Sequence, residues 1–312
     1  MLDVTRLRVL VAVARYGSVT AAARALNYAQ PSVSHHLARL ESETGTKLIQ
    51  RAGRGIRLTD AGRLLAERAA EVIGRLDAAE NELAAYTGLR AGRLRLAAFP
   101  SALGTIVPAA AAFLRGANPE LDLRLTEAEP PEALRMLRAG YVDVALVFRY
   151  TSEVPAASVE LEEQEDAVDI TEGLRERLLL EEPVHLITSA RDTKPPDLAH
   201  YAKHRWIAGC DRCRTNLVTQ CALAGFTPKI AFTTDDYVAV QALVAADLGV
   251  STLPELCLRA ARHPGVRSVP LPGTRRYVYA VRYGDPPDPP AVTELMDALR
   301  AAADRPPLQS PE

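Results

Sequence analysis

Between Leu7 and Leu40 the apolar residues fall in three short helical stripes, each cut off before it becomes a long helix. Leu7, Leu10, Val11 and Ala14 stand at i, i+3, i+4 and i+7, and Gly17 ends that run. Ser18 is a capping residue for a second helix, whose stripe of Val19, Ala22, Ala23 and Leu26 has small alanines that let a neighbour pack closely. After Asn27-Tyr28-Ala29-Gln30, Pro31 suits the first turn of a third helix, in which Val33, Leu37 and Leu40 face inward as far as Thr44-Gly45. Three such helices, the last two joined by a tight turn, outline a helix-turn-helix.

The opposite side of the third helix carries Pro31, Ser32, His35, Ala38 and Arg39, with Ser34 and His36 on its flanks. Short, hydrogen-bonding side chains let a helix enter a major groove and reach base edges and phosphates; in an isolated helix the same face would simply be solvated. The charge distribution favours DNA. The formal net charge is −2, yet residues 1–58 hold nine basic and three acidic side chains, while residues 91–312 hold 24 and 30. A basic head on an acidic body points to a polyanionic partner. His35 and His36 are adjacent and diverge, so they make no metal pair. Lys47–Leu58, apolar at both ends around two glycines, reads as a hairpin wing that sets Arg51, Arg54 and Arg57 beside the third helix, where they reach phosphates or a minor groove.

The run Gly17-Ser18-Val19-Thr20-Ala21-Ala22-Ala23-Arg24-Ala25-Leu26, then Ala29-Gln30-Pro31-Ser32-Val33-Ser34, Leu40-Glu41, Gly45, Leu48, Arg51 and Leu58-Thr59-Asp60-Ala61-Gly62, resembles the LysR-type transcriptional regulators of bacteria. The resemblance implies that Gln30, Pro31, Ser34 and His35 meet the groove and that Arg51 and Arg54 sit on the wing; Arg or Gln is more usual in the family where His35 stands. The DNA-binding expectation is therefore Gln30, Pro31, Ser32, Ser34, His35, His36, Arg39, Arg51 and Arg54.

From Thr59 to about Tyr86 the pattern predicts one helix, with Leu65, Ala69, Val72, Leu76, Ala79 and Leu83 as a heptad seam flanked by charged residues. The seam serves either to pair two chains or to lie on the helix's own domain; pairing is favoured because the flanking modules look complete. A dimer also presents two recognition helices to a twofold-symmetric site. In the resembling family this helix links the domains and forms a dimer, usually within a tetramer, and RNA polymerase is a further implied partner.

Beyond residue 91 strands alternate with helices: strands near Arg93–Ala98, Leu121–Thr126, Val142–Phe148, Val184–Thr188, Trp206–Ala208, Ile230–Thr233, Gly249–Leu253, Val266–Leu271 and Tyr277–Val281, and a last helix near Ala291–Ala302. Alternation of this kind predicts parallel sheet covered by helices, and two lobes of it leave a cleft at strand C-terminal ends. Arg93–Pro108, Gly140–Val147 and Val244–Pro254 resemble the effector domain of the same family, itself similar to periplasmic solute-binding proteins. The expected fold is an N-terminal all-α winged helix-turn-helix (1–58), a linker and dimerisation helix (59–88), and a C-terminal α/β two-lobed effector domain (91–302, lobe II about 175–266), with a disordered tail at 303–312. By position, Phe99, Ser101, Ala102, Glu127, Phe148, Arg149, Cys210, Thr215 and Thr234 are candidate contacts for a small-molecule effector, with plain loop or capping roles as the alternative for each.

Cys210-x2-Cys213 fits a metal knuckle or a redox pair, but no second pair or spaced histidines accompany it, so no metal, cofactor or catalytic residue is expected. Some members of the family sense oxidants through cysteines in this lobe, and Cys213 and Cys221 lie close to such a placement; ordinary thiols are the alternative, for Cys257 too. The acidic stretch 152–173 has no calcium-loop spacing and reads as a solvated loop. Apolar stretches such as 106–114 are too short to span a bilayer, and no signal peptide is apparent, so the expectation is cytoplasmic, without a membrane partner. An enzyme is disfavoured because nucleophile-elbow, phosphate-loop and dinucleotide patterns are missing; a solute-binding protein is disfavoured by the basic head.

Overall fold

The structure is a computed structural model that describes residues 2–52, 55–86, 93–152, 173–284 and 286–304. Gly53 and Arg54, the acidic residues 153–172 and residues 305–312 of the tail lie outside the described residues. Contacts divide the chain into two units, Met1–Gly92 with Arg135–Asp143, and Arg93–Leu134 with Val144–Glu312.

In the first unit the punctuation of the sequence is obeyed. Helix α1 (Val4–Tyr16) ends at Gly17, whose φ of 65° lets its N–H turn back to the Val13 carbonyl. Ser18 Oγ accepts the Ala21 N–H at 3.1 Å and opens α2 (Val19–Ala25). Helix α3 (Gln30–Thr44) has Pro31 in its first turn and Gly45, at φ 66°, as its end. Strands β1 (Ile49–Ala52) and β2 (Gly55–Leu58) pair antiparallel, Ile49 opposite Leu58. Leu10, Leu37, Leu40 and Leu48 are almost wholly buried together with Ala66, Ala69 and Ile73 of α4 (Asp60–Tyr86), each leucine contributing about 1.5–3 kcal/mol. Gly62 must be glycine because a Cβ there would collide with the Leu48 carbonyl. Two contacts fix the wing's start: Glu41 accepts the Leu48 N–H at 2.9 Å, and Thr59 Oγ1 donates to the Lys47 carbonyl at 2.7 Å.

The second unit holds an eight-stranded mixed sheet. In chain order the elements from Arg93 onward are β3 (Arg93–Ala98), α5 (Pro100–Leu103), α6 (Ile106–Ala117), β4 (Asp122–Glu127), α7 (Pro130–Arg138, of which the part from Arg135 belongs to the first unit), β5 (Val144–Ser152), β6 (Leu174–Ser189), β7 (Arg205–Ala208), α8 (Asp211–Leu223), β8 (Lys229–Thr233), α9 (Tyr237–Ala245), β9 (Val250–Pro254), α10 (Glu255–Ala260), β10 (Val266–Tyr283) and α11 (Pro290–Ala303). Strand order is β4-β3-β5-β10-β6-β9-β7-β8, so the long antiparallel pair β6 and β10 joins a parallel half on one side to a parallel half on the other. Separate cores confirm two lobes: one around Leu96, Phe99, Phe148 and Leu299, the others around Trp206 and Val244.

Several boundaries differ from expectation. The expected short strands Val266–Leu271 and Tyr277–Val281 are one strand, and Val184–Thr188 is the end of β6, which begins at Leu174. After β3 the chain forms two helices, broken at Gly104-Thr105, and α8 starts at Asp211, directly after Cys210. Helix α11 runs through Ala303, one residue into the segment expected to be tail.

Candidate functional sites

On α3 the three apolar residues Val33, Leu37 and Leu40 are buried, which turns Gln30, Pro31, Ser32, Ser34, His35 and Arg39 to the exposed side. Gln30 Nε2 donates to Ser34 Oγ at 3.3 Å, one turn apart, so the two amide and hydroxyl groups stand as a unit at the helix's first turns. His36 is half-buried, its ring 5.9 Å from that of Tyr28. Arg39 pairs with Glu43 at 3.5 Å, and Glu43 also holds Arg6 at 3.0 Å. On the wing, Arg57 is exposed and faces Gln50 across the hairpin, while Arg51 lies opposite Ile56 in the strand register. Ala29 caps α3 without a side-chain bond, its carbonyl accepting the Ser32 N–H at 3.0 Å and the Val33 N–H at 3.3 Å, while Pro31 has no N–H to offer.

The second unit contains a cavity of about 50 Å³, enough for a few non-hydrogen atoms. Phe99, Ser101 and Phe148 line it from the first lobe, Cys210, Cys213, Thr234 and Asp235 from the second. At its base lies Arg276 of β10, which pairs with Glu182 of β6 at 2.5 Å while both side chains are almost inaccessible. Arg276 Nη2 donates to Ser101 Oγ at 3.0 Å, and its guanidinium lies 5.0 Å from the Phe99 ring centre and 4.9 Å from that of Phe148. Glu182 accepts the Leu256 N–H at 2.6 Å with its other oxygen. Burial alone would lower the Arg276 pKa, but the Glu182 carboxylate more than offsets this and keeps the group firmly charged. Glu129 also lines the cavity, and burial pushes its carboxyl above the ordinary 4.5. Among the described residues no group of three or more His, Cys, Asp or Glu could hold a metal ion.

These two sites meet their counterparts in known proteins. Residues 4–63 match the family model for bacterial regulatory helix-turn-helix proteins of the lysR family, and residues 87–304 match the LysR substrate binding domain. The chain belongs to the LysR family of transcriptional regulators. It is 28% identical over 306 residues to a probable HTH-type transcriptional regulator, LrrA, of Synechococcus elongatus, covering 97% of this chain and 98% of that one. A hydrogen peroxide-inducible genes activator of Haemophilus influenzae is 27% identical over 86% of each chain. Among solved structures, the LysR family regulator CbnR superposes with a TM-score of 0.63 at 20% identity over 97% of this chain and 100% of its own. A full-length OxyR variant of Pseudomonas aeruginosa gives 0.66 at 20% identity over 100% and 99%. The chain is thus a LysR-type DNA-binding transcription regulator with an effector-binding domain.

In this LysR-type regulator the structure gathers Phe99, Ser101, Phe148, Cys210 and Thr234 of the expected effector contacts around one cavity. The other four stand elsewhere. Ala102 is buried in the first lobe's core, and exposed Thr215 donates to the Asp211 carbonyl at 2.9 Å. Arg149 points to the opposite side of β5 from Phe148, where it pairs with Glu176 at 2.8 Å and covers Tyr279. Glu127 is exposed, and Glu129, two residues on, lines the cavity instead. Sequence reasoning missed Arg276, Glu182 and Glu129. No sequence signal singles out Glu182 and Arg276, because β6 also carries Arg175, Glu176, Arg177 and Glu181, and β10 also carries Arg267, Arg275 and Arg282.

Helix α4 divides its seam. Leu65 and Ala69 pack into the first unit's own core, whereas Val72, Leu76, Ala79 and Leu83 are exposed at spacings of four, three and four.

Proposed function

We propose that this regulator reads a twofold-symmetric DNA site as a homodimer, with α3 of each copy in a major groove, and that a small effector in the two-lobed cleft alters how it does so. The observation that carries the DNA reading is the exposed Gln30, Pro31, Ser34 and His35 face of α3, held out by three buried apolar residues. Gln30 and Ser34 supply base-edge contacts, and the wing, with Arg51, Arg54 and Arg57, positions the module on the backbone. Val72, Leu76, Ala79 and Leu83 pair the copies, and further association gives a tetramer. Cytoplasmic location and contact with RNA polymerase follow from the same reading; no helix among the described residues is long and apolar enough to cross a membrane.

An effector larger than a few atoms enters only when the lobes part, while the bonds that Arg276 and Glu182 make to Ser101 and Leu256 hold the base of the cavity together. A ligand that binds one lobe arrangement better shifts the oligomer towards it, and with it the spacing of the recognition helices. Ser34→Ala with His35→Ala is expected to lower affinity for the DNA upstream of the regulator's own gene by about 1–3 kcal/mol, roughly ten- to a hundredfold, at fixed salt. Sedimentation of the variant is expected to be unchanged. Unaltered gel-shift affinity at matched salt would remove α3 from the base contacts.

A further inference from the structure

We infer that the second lobe carries a further ligand site, separate from the effector cleft, which takes the phosphate group of a small phosphomonoester between Arg259 and Arg262. The site shares no lining residue with the cavity at Arg276, so it stands or falls independently of the function proposed above.

A cavity of about 340 Å³ opens beside α10. His185 of β6, Glu255, Leu258 and Arg259 of α10, Arg262 two residues past the helix end, and Ser268 of β10 line it. Leu258 is the one apolar side chain among these six, so hydrogen-bonding groups make up most of the wall. The sheet brings the residues together. His185 shares a face of β6 with Ile187, which belongs to one core with Cys257 and Leu258 of α10. Ser268 stands directly opposite Ile187 in the β6–β10 pairing, so the imidazole and the hydroxyl lie on the same side of the sheet, under α10.

Two guanidiniums and one carboxylate leave this wall with an excess of positive charge. Arg262 Nη2 donates to Ser268 Oγ at 3.0 Å, which sets one guanidinium fork beside a hydroxyl. Glu255 is engaged with His185, its Oε2 lying 2.5 Å from Nε2. The His185 side chain is only 9% exposed, and its buried Nδ1 has no hydrogen-bond partner among the described residues. A buried ring nitrogen without a partner is costly, and a bound ligand removes that kind of defect.

Arginine forks suit oxyanions, and two of them lining one cavity suit a group that carries close to two charges on three oxygens. A phosphate does so, whereas a single carboxylate offers two oxygens and one charge. The cavity is about ten times the ~30 Å³ share of one water, more than inorganic phosphate fills, so the ligand also has a small body. Glu255 and Ser268 favour a hydroxylated body over an apolar one. Helix α10 is common to the walls of both cavities: Leu256, next to Glu255, gives its N–H to Glu182, and Cys257 lines the cavity at Arg276.

The test is equilibrium dialysis of the full-length protein against inorganic phosphate, glycerol 3-phosphate and succinate at constant ionic strength, with hydrogen exchange read on the same samples. Saturable binding is expected for both phosphates, with succinate weaker by at least about tenfold. Arg259→Gln and Arg262→Gln are each expected to weaken glycerol 3-phosphate by at least about tenfold. The largest slowing of amide exchange is expected in residues 255–268. The proposal is overturned by succinate bound as tightly as glycerol 3-phosphate, by unchanged binding in either variant, by exchange slowed chiefly in the basic head or around Phe99 and Cys210, or by no saturable uptake of any probe. Exchange is read on the unaltered protein, so a variant that misfolds leaves the test standing.

Discussion

Arg276→Met is expected to lower the free energy of unfolding by about 3–5 kcal/mol, because it strands the Glu182 carboxylate in a buried site. Methionine replaces much of the arginine's volume, so the loss is electrostatic rather than a cavity. Glu182 would keep the Leu256 N–H at 2.6 Å but lose the guanidinium at 2.5 Å, and Ser101 Oγ would lose its donor. Replacing both ends, Glu182→Leu with Arg276→Met, is expected to cost much less than the single change, since no unpaired charge remains. Trp206 is the chain's single tryptophan and is buried in the second lobe, so its fluorescence in urea reports the transition. A single variant within about 1 kcal/mol of the parent, where surface changes usually fall, would show that the pair does not hold the two long strands together.

Leu76→Glu is expected to weaken self-association by about a thousandfold. Two leucines, one per copy, are lost from the proposed seam at about 2 kcal/mol each, which corresponds to roughly three decades in dissociation constant. Leu76 is 41% exposed within its own chain, so the protomer has little to lose from the change. Sedimentation over a range of concentrations reads the effect directly. Dimers as tight as those of the parent would move the pairing surface away from α4 and its exposed Val72, Leu76, Ala79 and Leu83.

The first unit was legible because its signals are local. Gly17, Ser18, Pro31 and Gly45 act within one turn of where they stand, and the structure uses each as its chemistry dictates. The second unit's long strands were not legible, because Pro183 within β6, and Pro270, Pro272 and Gly273 within β10, look like strand ends. They mark irregular pairing instead: the register of β10 against β6 shifts between Pro270 and Arg275. That misreading hid Arg276, which enters the cleft only because the strand continues past the shift.

The misplaced effector residues have similar causes. Strand parity separates Phe148 from Arg149, and Ala102 follows Ser101 into the core rather than the cavity. A heptad pattern, for its part, does not distinguish a helix's own core from a partner. Leu65 and Ala69 serve the former and the next four seam positions remain exposed. The cysteine spacing left several pairs open, and only the start of α8 showed that Cys210 and Cys213 stand together.

Salt dependence of DNA binding tests the central claim most directly. Affinity of the full-length protein for the fragment upstream of its own gene is measured by gel shift or anisotropy from about 50 to 200 mM salt. A dimer that places two recognition helices and two wings on the duplex, making about six to ten phosphate contacts, predicts a log–log slope of about −5 to −9 and tighter binding than to unrelated DNA. A flat slope, or equal affinity for any fragment, would contradict the assignment of α3 and the wing to the duplex.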